Sequence, residues 1–165
     1  MNKQQSYDPV VARVRELIAG ETDLIAVMAT VVGELHHSFD YFGWTGFYRA
    51  VAPGLLKIGP YQGKHGCLTI SFDRGVCGAA ARLRQTQIVP DVTRFPGYIA
   101  CSAATRSEIV VPVLSPAGDL VAVLDVDSDQ LDSFDEIDAA NLEEIGKMVG
   151  TVGRGMARSD SPGYG

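Results

Sequence analysis

The sequence predicts an α+β domain: two helices, five or six mostly antiparallel strands and a closing helix, with the helices covering the sheet. Three observations carry that expectation. Helical spacing of apolar residues holds up to Ser38 and returns after Ser133. Between them the period switches to short β-branched and aromatic runs. The turn residues "APG" and "SPAGD" join pairs of those runs as hairpins.

"DPVVARVRELIAGE" opens as a helix, with Asp8 as N-cap and Pro9 in the first helical position. Val10, Val14, Leu17 and Ile18 form its stripe, and Gly20 stops it. A second helix runs from about Thr22 to Ser38, with Leu24, Val27, Met28, Val31, Val32 and Leu35 on one side. His36 and His37 close its last turn, where cationic imidazoles suit the helix dipole. From Trp44, "WTGFYRAV" and "LLKIGPYQG" form a hairpin and "CLTISF" a further strand. "RGVCGAAARLRQ" is a short helix of small residues, and "TQIVP" a brief strand. After a loop around Cys101 come the strands "EIVVPVL" and "LVAVLDVDS". The last helix starts at Ser133, whose spacing to Glu136 makes a capping box, and continues through Ile137, Leu142, Ile145 and Val149. We expect one domain over residues 1–158 and a disordered tail over 159–165.

The charge balance narrows the function. A formal net charge of −6 argues against non-specific binding to nucleic acid or acidic lipid. No run is long enough to span a bilayer, and the N-terminus lacks the apolar core of a secretion signal, so a cytoplasmic setting is expected. Three cysteines in such a setting are not a permanent disulfide framework. They read either as a transient redox pair with a third thiol or as three buried thiols without a role.

The chemistry concentrates in the second hairpin. Asp125 and Asp127 alternate onto one face of "LDVDS". If the turn leaves Ser115 opposite Leu120, Glu108 falls opposite Asp127 and Val110 opposite Asp125. A slip of one residue would send Glu108 to the other face. Three gathered carboxylates attract a cation and repel one another, so at least one pKa rises and a protonated acid is available near neutrality. Two strand aspartates lack the ligand set of a calcium loop, and Cys67, Cys77, Cys101 and His65 contain no close C-x-x-C pair for zinc; no metal and no cofactor are expected.

The cysteines differ in setting. Cys77 lies near a helix N-terminus, where the dipole favours thiolate. Cys67 sits at the mouth of a strand after a glycine-rich bend. Cys101 sits among small and hydroxylated residues, seven positions before Glu108, and is the thiol expected to face the acids. Acids beside a thiol suit a reaction that consumes a thiolate and a proton together. Sulfoxide reduction is one, leaving a sulfenic acid that a second thiol converts to a disulfide. A thiol peptidase would need a histidine beside the cysteine, and nothing in the sequence places His65 there.

"GWTGFY", "GPYQGKHGC", "RGVCG", "YIACSAATRSEIVVPV" and "LDVDS" occur in that order over Trp44–Ser128. Together they resemble the free methionine-(R)-sulfoxide reductases, enzymes built on a GAF domain. The resemblance implies a six-stranded sheet backed by helices, a homodimer, free methionine-(R)-sulfoxide as substrate and thioredoxin as reductant. By motif match, Cys101 would be the catalytic thiol, Cys67 the principal resolving thiol and Cys77 a third thiol able to exchange. Glu108, Asp125 and Asp127 match the substrate-binding acids, and Trp44 and Tyr48 the aromatic pocket. Ser102 stands where the family commonly has an acid, and Gly66 where a slightly larger residue is usual. The other reading is a non-catalytic sensor of the same fold that binds a small cationic or zwitterionic ligand.

Overall fold

The computed structural model describes residues 2–153. The expected tail over 159–165 lies outside them. The chain runs α1 (Lys3–Leu17), α2 (Leu24–Ser38), β1 (Trp44–Ala52), β2 (Leu55–Gln62), β3 (Thr69–Ser71), α3 (Gly75–Leu83), β4 (Gln87–Val89), a 3₁₀ turn (Val92–Arg94), β5 (Ser107–Leu114), β6 (Leu120–Ser128) and α4 (Glu136–Gly153). The six strands form one sheet in the order β3-β2-β1-β6-β5-β4, and every neighbouring pair is antiparallel.

Two helix starts differ from the sequence expectation. The first helix begins at Lys3, not at Pro9, because Asn2 and Gln5 close a capping box on each other. Pro9 is carried inside the helix, and Asp8 accepts a hydrogen bond from the Gln4 side chain at 2.8 Å. At the other end, Ser133 is not the cap of α4. Its hydroxyl donates to Gln130 O and Ser128 Oγ. Asp135 takes the capping position, accepting from the N–H groups of Ile137 and Asp138, while Asp138 Oδ2 accepts from the Asp135 N–H at 2.8 Å. Asp138 is wholly buried and also takes the hydroxyls of Tyr7 and Tyr41 and the Lys3 ammonium. That network pins α1 to α4. On α2, Asp23 caps the helix and both histidines lie in its last turn. However, His36 shares a hydrogen bond with Thr45 Oγ1, and burial together with His37 lowers its pKa. It is held neutral rather than cationic.

The sheet has two unlike faces. Phe47, Ile109, Val111, Val113, Leu124 and Val126 pack with α1, α2 and α4 into the main core. Each such side chain removed from water contributes about 1.5–3 kcal/mol. The alternate residues, among them Trp44, Tyr48, Val110 and Val123, face α3 and the loops before and after it. The site lies on this second face.

The register that positions it comes about in an unexpected way. Leu114, not Ser115, pairs with Leu120, contrary to the sequence expectation. Carried along the hairpin, that pairing would set Glu108 opposite Val126. A bulge leaves Val121 unpaired, because Val113 pairs with Ala122. The extra residue restores Glu108 to Asp127 and Val110 to Asp125.

Candidate active site

Strands β1, β5 and β6, two loops and the start of α3 build one pocket. β1 pairs with β6 so that Trp44 lies opposite Asp127, Gly46 opposite Asp125 and Tyr48 opposite Val123. With Glu108 from β5, the three acids and two aromatics share a face. Trp44 and Tyr48 stack at 5.8 Å between centroids, and Tyr61 also stacks with Trp44 at 5.4 Å. The Trp44 indole N–H donates to Lys64 O at 2.8 Å, fixing the loop that carries Cys67.

Gly46 makes room for this stack. A Cβ there would overlap the Trp44 ring and stand 2.6 Å from Tyr61 Cβ, which the β1–β2 pairing holds in place. Gly46→Ala is therefore expected to displace Trp44 and to lower stability by about 1–3 kcal/mol, the usual cost of overpacking. Trp44 is the single tryptophan, so its emission spectrum reads the displacement directly. An unchanged spectrum together with an unchanged melting temperature would contradict this packing.

The opposite wall is the loop between the 3₁₀ turn and β5. It is tied at both ends: Val92 N–H donates to Arg106 O and Arg106 N–H to Ser128 O. Gly75 opens α3 with φ of +69°, a conformation that favours glycine, and its N–H donates to Gly97 O at 3.0 Å. This contact ties the start of α3 to the Cys101 loop. Cys101 and Cys67 are joined in a disulfide with Cα atoms 5.2 Å apart, the pair whose joining the resemblance implies. Cys77 is free and buried on the first turn of α3.

All eight residues singled out in the sequence line this pocket or its disulfide: Trp44, Tyr48, Cys77, Cys101, Glu108, Asp125 and Asp127 directly, and Cys67 through its bond to Cys101. The cavity left between them is about 30 Å³. Tyr98 and Thr105, absent from the sequence-derived site, also line it, and Thr105 Oγ1 donates to Asp127 Oδ2 at 3.2 Å. His65 lies there too, although nothing in the sequence placed it beside the thiols.

The electrostatics follow from burial. Burial, then the neighbouring Asp125 and Asp127, push Glu108 well above the usual carboxylate range. Burial and Asp127 do the same to Asp125. Burial raises Asp127 to about 7, against the opposing hydrogen bond from Thr105. Cys77 does not behave as its place at a helix start suggests. Burial, followed by Asp125 and Glu108, pushes its thiol well up, so the dipole is overridden and the thiol stays protonated.

These shifts predict a pH dependence of stability. All three acids have folded pKa values above their unfolded ones, so the folded state binds more protons. Their contribution is complete below the unfolded values and is lost as pH rises, for Asp127 through about 7. The melting temperature of the ligand-free protein should fall between about pH 5 and 8. Asp127→Asn should flatten that fall near neutrality. A melting temperature that rises over this range would refute the assignment.

A family model described as "GAF domain" matches residues 19–152. The chain is 44% identical over 148 residues to GAF domain-containing protein A of Dictyostelium discoideum, covering 90% of this chain and 92% of that protein. It is 36% identical over 155 residues to the free methionine-R-sulfoxide reductase of Saccharomyces cerevisiae, covering 90% and 86%. Among solved structures, the free methionine-R-sulfoxide reductase of Neisseria meningitidis in complex with its substrate superposes with a TM-score of 0.90 at 38% identity, covering 97% of this chain and 95% of that one.

Proposed function

The chain belongs to the GAF-domain free methionine-R-sulfoxide reductases, and from that membership we propose that it reduces free L-methionine-(R)-sulfoxide to L-methionine through Cys101. The observation that carries the proposal is the Cys67–Cys101 disulfide set against three buried or half-buried acids and the Trp44–Tyr48 wall. The acids bind the substrate ammonium by charge-assisted hydrogen bonds, and the aromatic rings face its methyl group. Cys101 attacks the sulfoxide sulfur while a protonated carboxyl, Glu108 or Asp127, gives its proton to the oxygen. Oxygen passes to Cys101 as a sulfenic acid, and methionine leaves. Cys67 then attacks that sulfur, water departs, and the disulfide forms. Two electrons pass from the thiol pair to the substrate.

Thioredoxin restores the thiols in this scheme, Cys77 can take part in exchange, the enzyme works as a homodimer, and the compartment is the cytoplasm. The first three points are supported by the motif resemblance, and the compartment is carried over from the sequence expectation above. Among the described residues no helix is long and apolar enough to cross a membrane.

The decisive experiment supplies the separated R and S diastereomers of free methionine sulfoxide, with thioredoxin, thioredoxin reductase and NADPH. Oxidation of NADPH is expected with the R form and little with the S form, which misdirects the oxygen. Absence of turnover with both, under thioredoxin and dithiothreitol alike, would reject the proposal.

A further inference from the structure

We propose that Cys77, Glu108 and Asp125 form a binding site for a zinc-type divalent cation on the floor of the pocket. The Cys77 sulfur and one carboxylate oxygen from each acid all lie within 4.8 Å of one another. All three residues are buried, and Asp125 is only 6% exposed. Its Oδ1 has no hydrogen-bond partner among the described residues. A buried oxygen left in that state is costly and calls for a positive partner.

An ammonium group would satisfy the oxygens, but it gains nothing from a sulfur. The sulfur discriminates between ions. Thiolate ligation favours zinc over magnesium or calcium, which prefer all-oxygen shells. One sulfur and two carboxylates give three ligands, and a water from the pocket can take the fourth position of a tetrahedral site. The ligands come from rigid elements: Glu108 and Asp125 from paired β5 and β6, Cys77 from the first turn of α3.

No oxidation or reduction is involved. The Cys77 thiol and the carboxyls release their protons to water, and the metal–sulfur and metal–oxygen bonds replace them. The sequence expectation of no metal weighed the strand aspartates for calcium and Cys67, Cys77, Cys101 and His65 for zinc. The present set keeps only Cys77 and adds two strand acids that the fold brings beside it. An ion here would occupy the seat of the substrate ammonium and shut the enzyme off. That consequence rests on the function proposed above, whereas the binding itself does not.

The test uses the disulfide form, in which Cys77 is the one free thiol. Titration with Co²⁺, a spectroscopic stand-in for Zn²⁺, is expected to raise a thiolate-to-cobalt charge-transfer band that saturates at one ion per chain and is erased by Zn²⁺. Cys77→Ser should remove the band, and Asp125→Asn should weaken binding at least about tenfold. In the Cys67→Ser, Cys101→Ser double variant, which cannot form the disulfide and keeps Cys77 as its one thiol, free methionine should raise the apparent Kd for the metal. Absence of the band in the parent protein, or its survival in Cys77→Ser, overturns the proposal. Should Cys77→Ser fail to fold, Asp125→Asn decides, and unchanged affinity there overturns it equally. An intact band that methionine leaves untouched would leave the metal site standing and remove the substrate reading instead.

Discussion

Cys101→Ser is expected to abolish turnover, with dithiothreitol and with thioredoxin alike. No other side chain in the scheme can take the oxygen. Cys67 is bonded to Cys101 but belongs to the opposite loop, ahead of β3. Cys77 is buried, and its thiol is pushed up by burial and the acids, so it is a poor nucleophile at neutral pH. Cys67→Ser is expected to behave differently. Cys101 still attacks, and a small thiol can reach the sulfenic acid directly, so dithiothreitol should support turnover far better than thioredoxin does. Turnover retained by Cys101→Ser would move the catalytic assignment to another cysteine. Equal loss with both reductants in Cys67→Ser would remove its resolving role.

The second large effect concerns the acids. Asp127→Asn and Glu108→Gln are each expected to lower kcat/KM by roughly 10²-fold or more, the range for loss of an acid catalyst or buried charge partner. Their geometry makes them interdependent. Glu108 and Asp127 are cross-strand neighbours, and after burial Asp125 and Asp127 hold Glu108 from ionising. A substrate ammonium relieves that repulsion, so one acid can ionise toward nitrogen while another keeps its proton for oxygen. N-acetylation removes the ammonium and leaves buried acids without their partner. N-acetyl-methionine-(R)-sulfoxide should therefore be a poor substrate, since sites built around a polar partner strongly reject analogues that lack it. Comparable rates on the free and acetylated compounds would refute the ammonium assignment, whatever the cysteines do.

The face shared by Asp125 and Asp127 was legible in the sequence because strand alternation is local. The addition of Glu108 was legible only in its outcome. The expected turn was wrong by one residue, and the Val121 bulge, which no local signal announces, restored the pairing. At helix starts the difficulty was competition. Asp8–Pro9 is a sound start signal, but Asn2–Gln5 lies earlier and closes both of its hydrogen bonds. Ser133 likewise lost to Asp135, whose partner Asp138 had to be buried against Tyr7 and Tyr41 before it could serve. The Cys77 expectation failed for a related reason. A helix start is visible in sequence, whereas two acids from distant strands arriving beside it are not. Tyr98 and Thr105 reach the pocket only because the loop between them closes over the sheet.

The disulfide and the cavity beside it set the order of events in turnover. The space beside the bond is about 30 Å³, room for about two water molecules. In the proposed cycle the bonded Cys67–Cys101 pair has no thiolate with which to reduce a second sulfoxide, and once the bond is cut the thiols have no further claim on a reductant. The two half-reactions of that cycle therefore alternate. Turnover is then expected to be a double displacement, with one half-reaction finished before the other begins. Initial rates at several fixed reductant concentrations should then give parallel lines in a double-reciprocal plot.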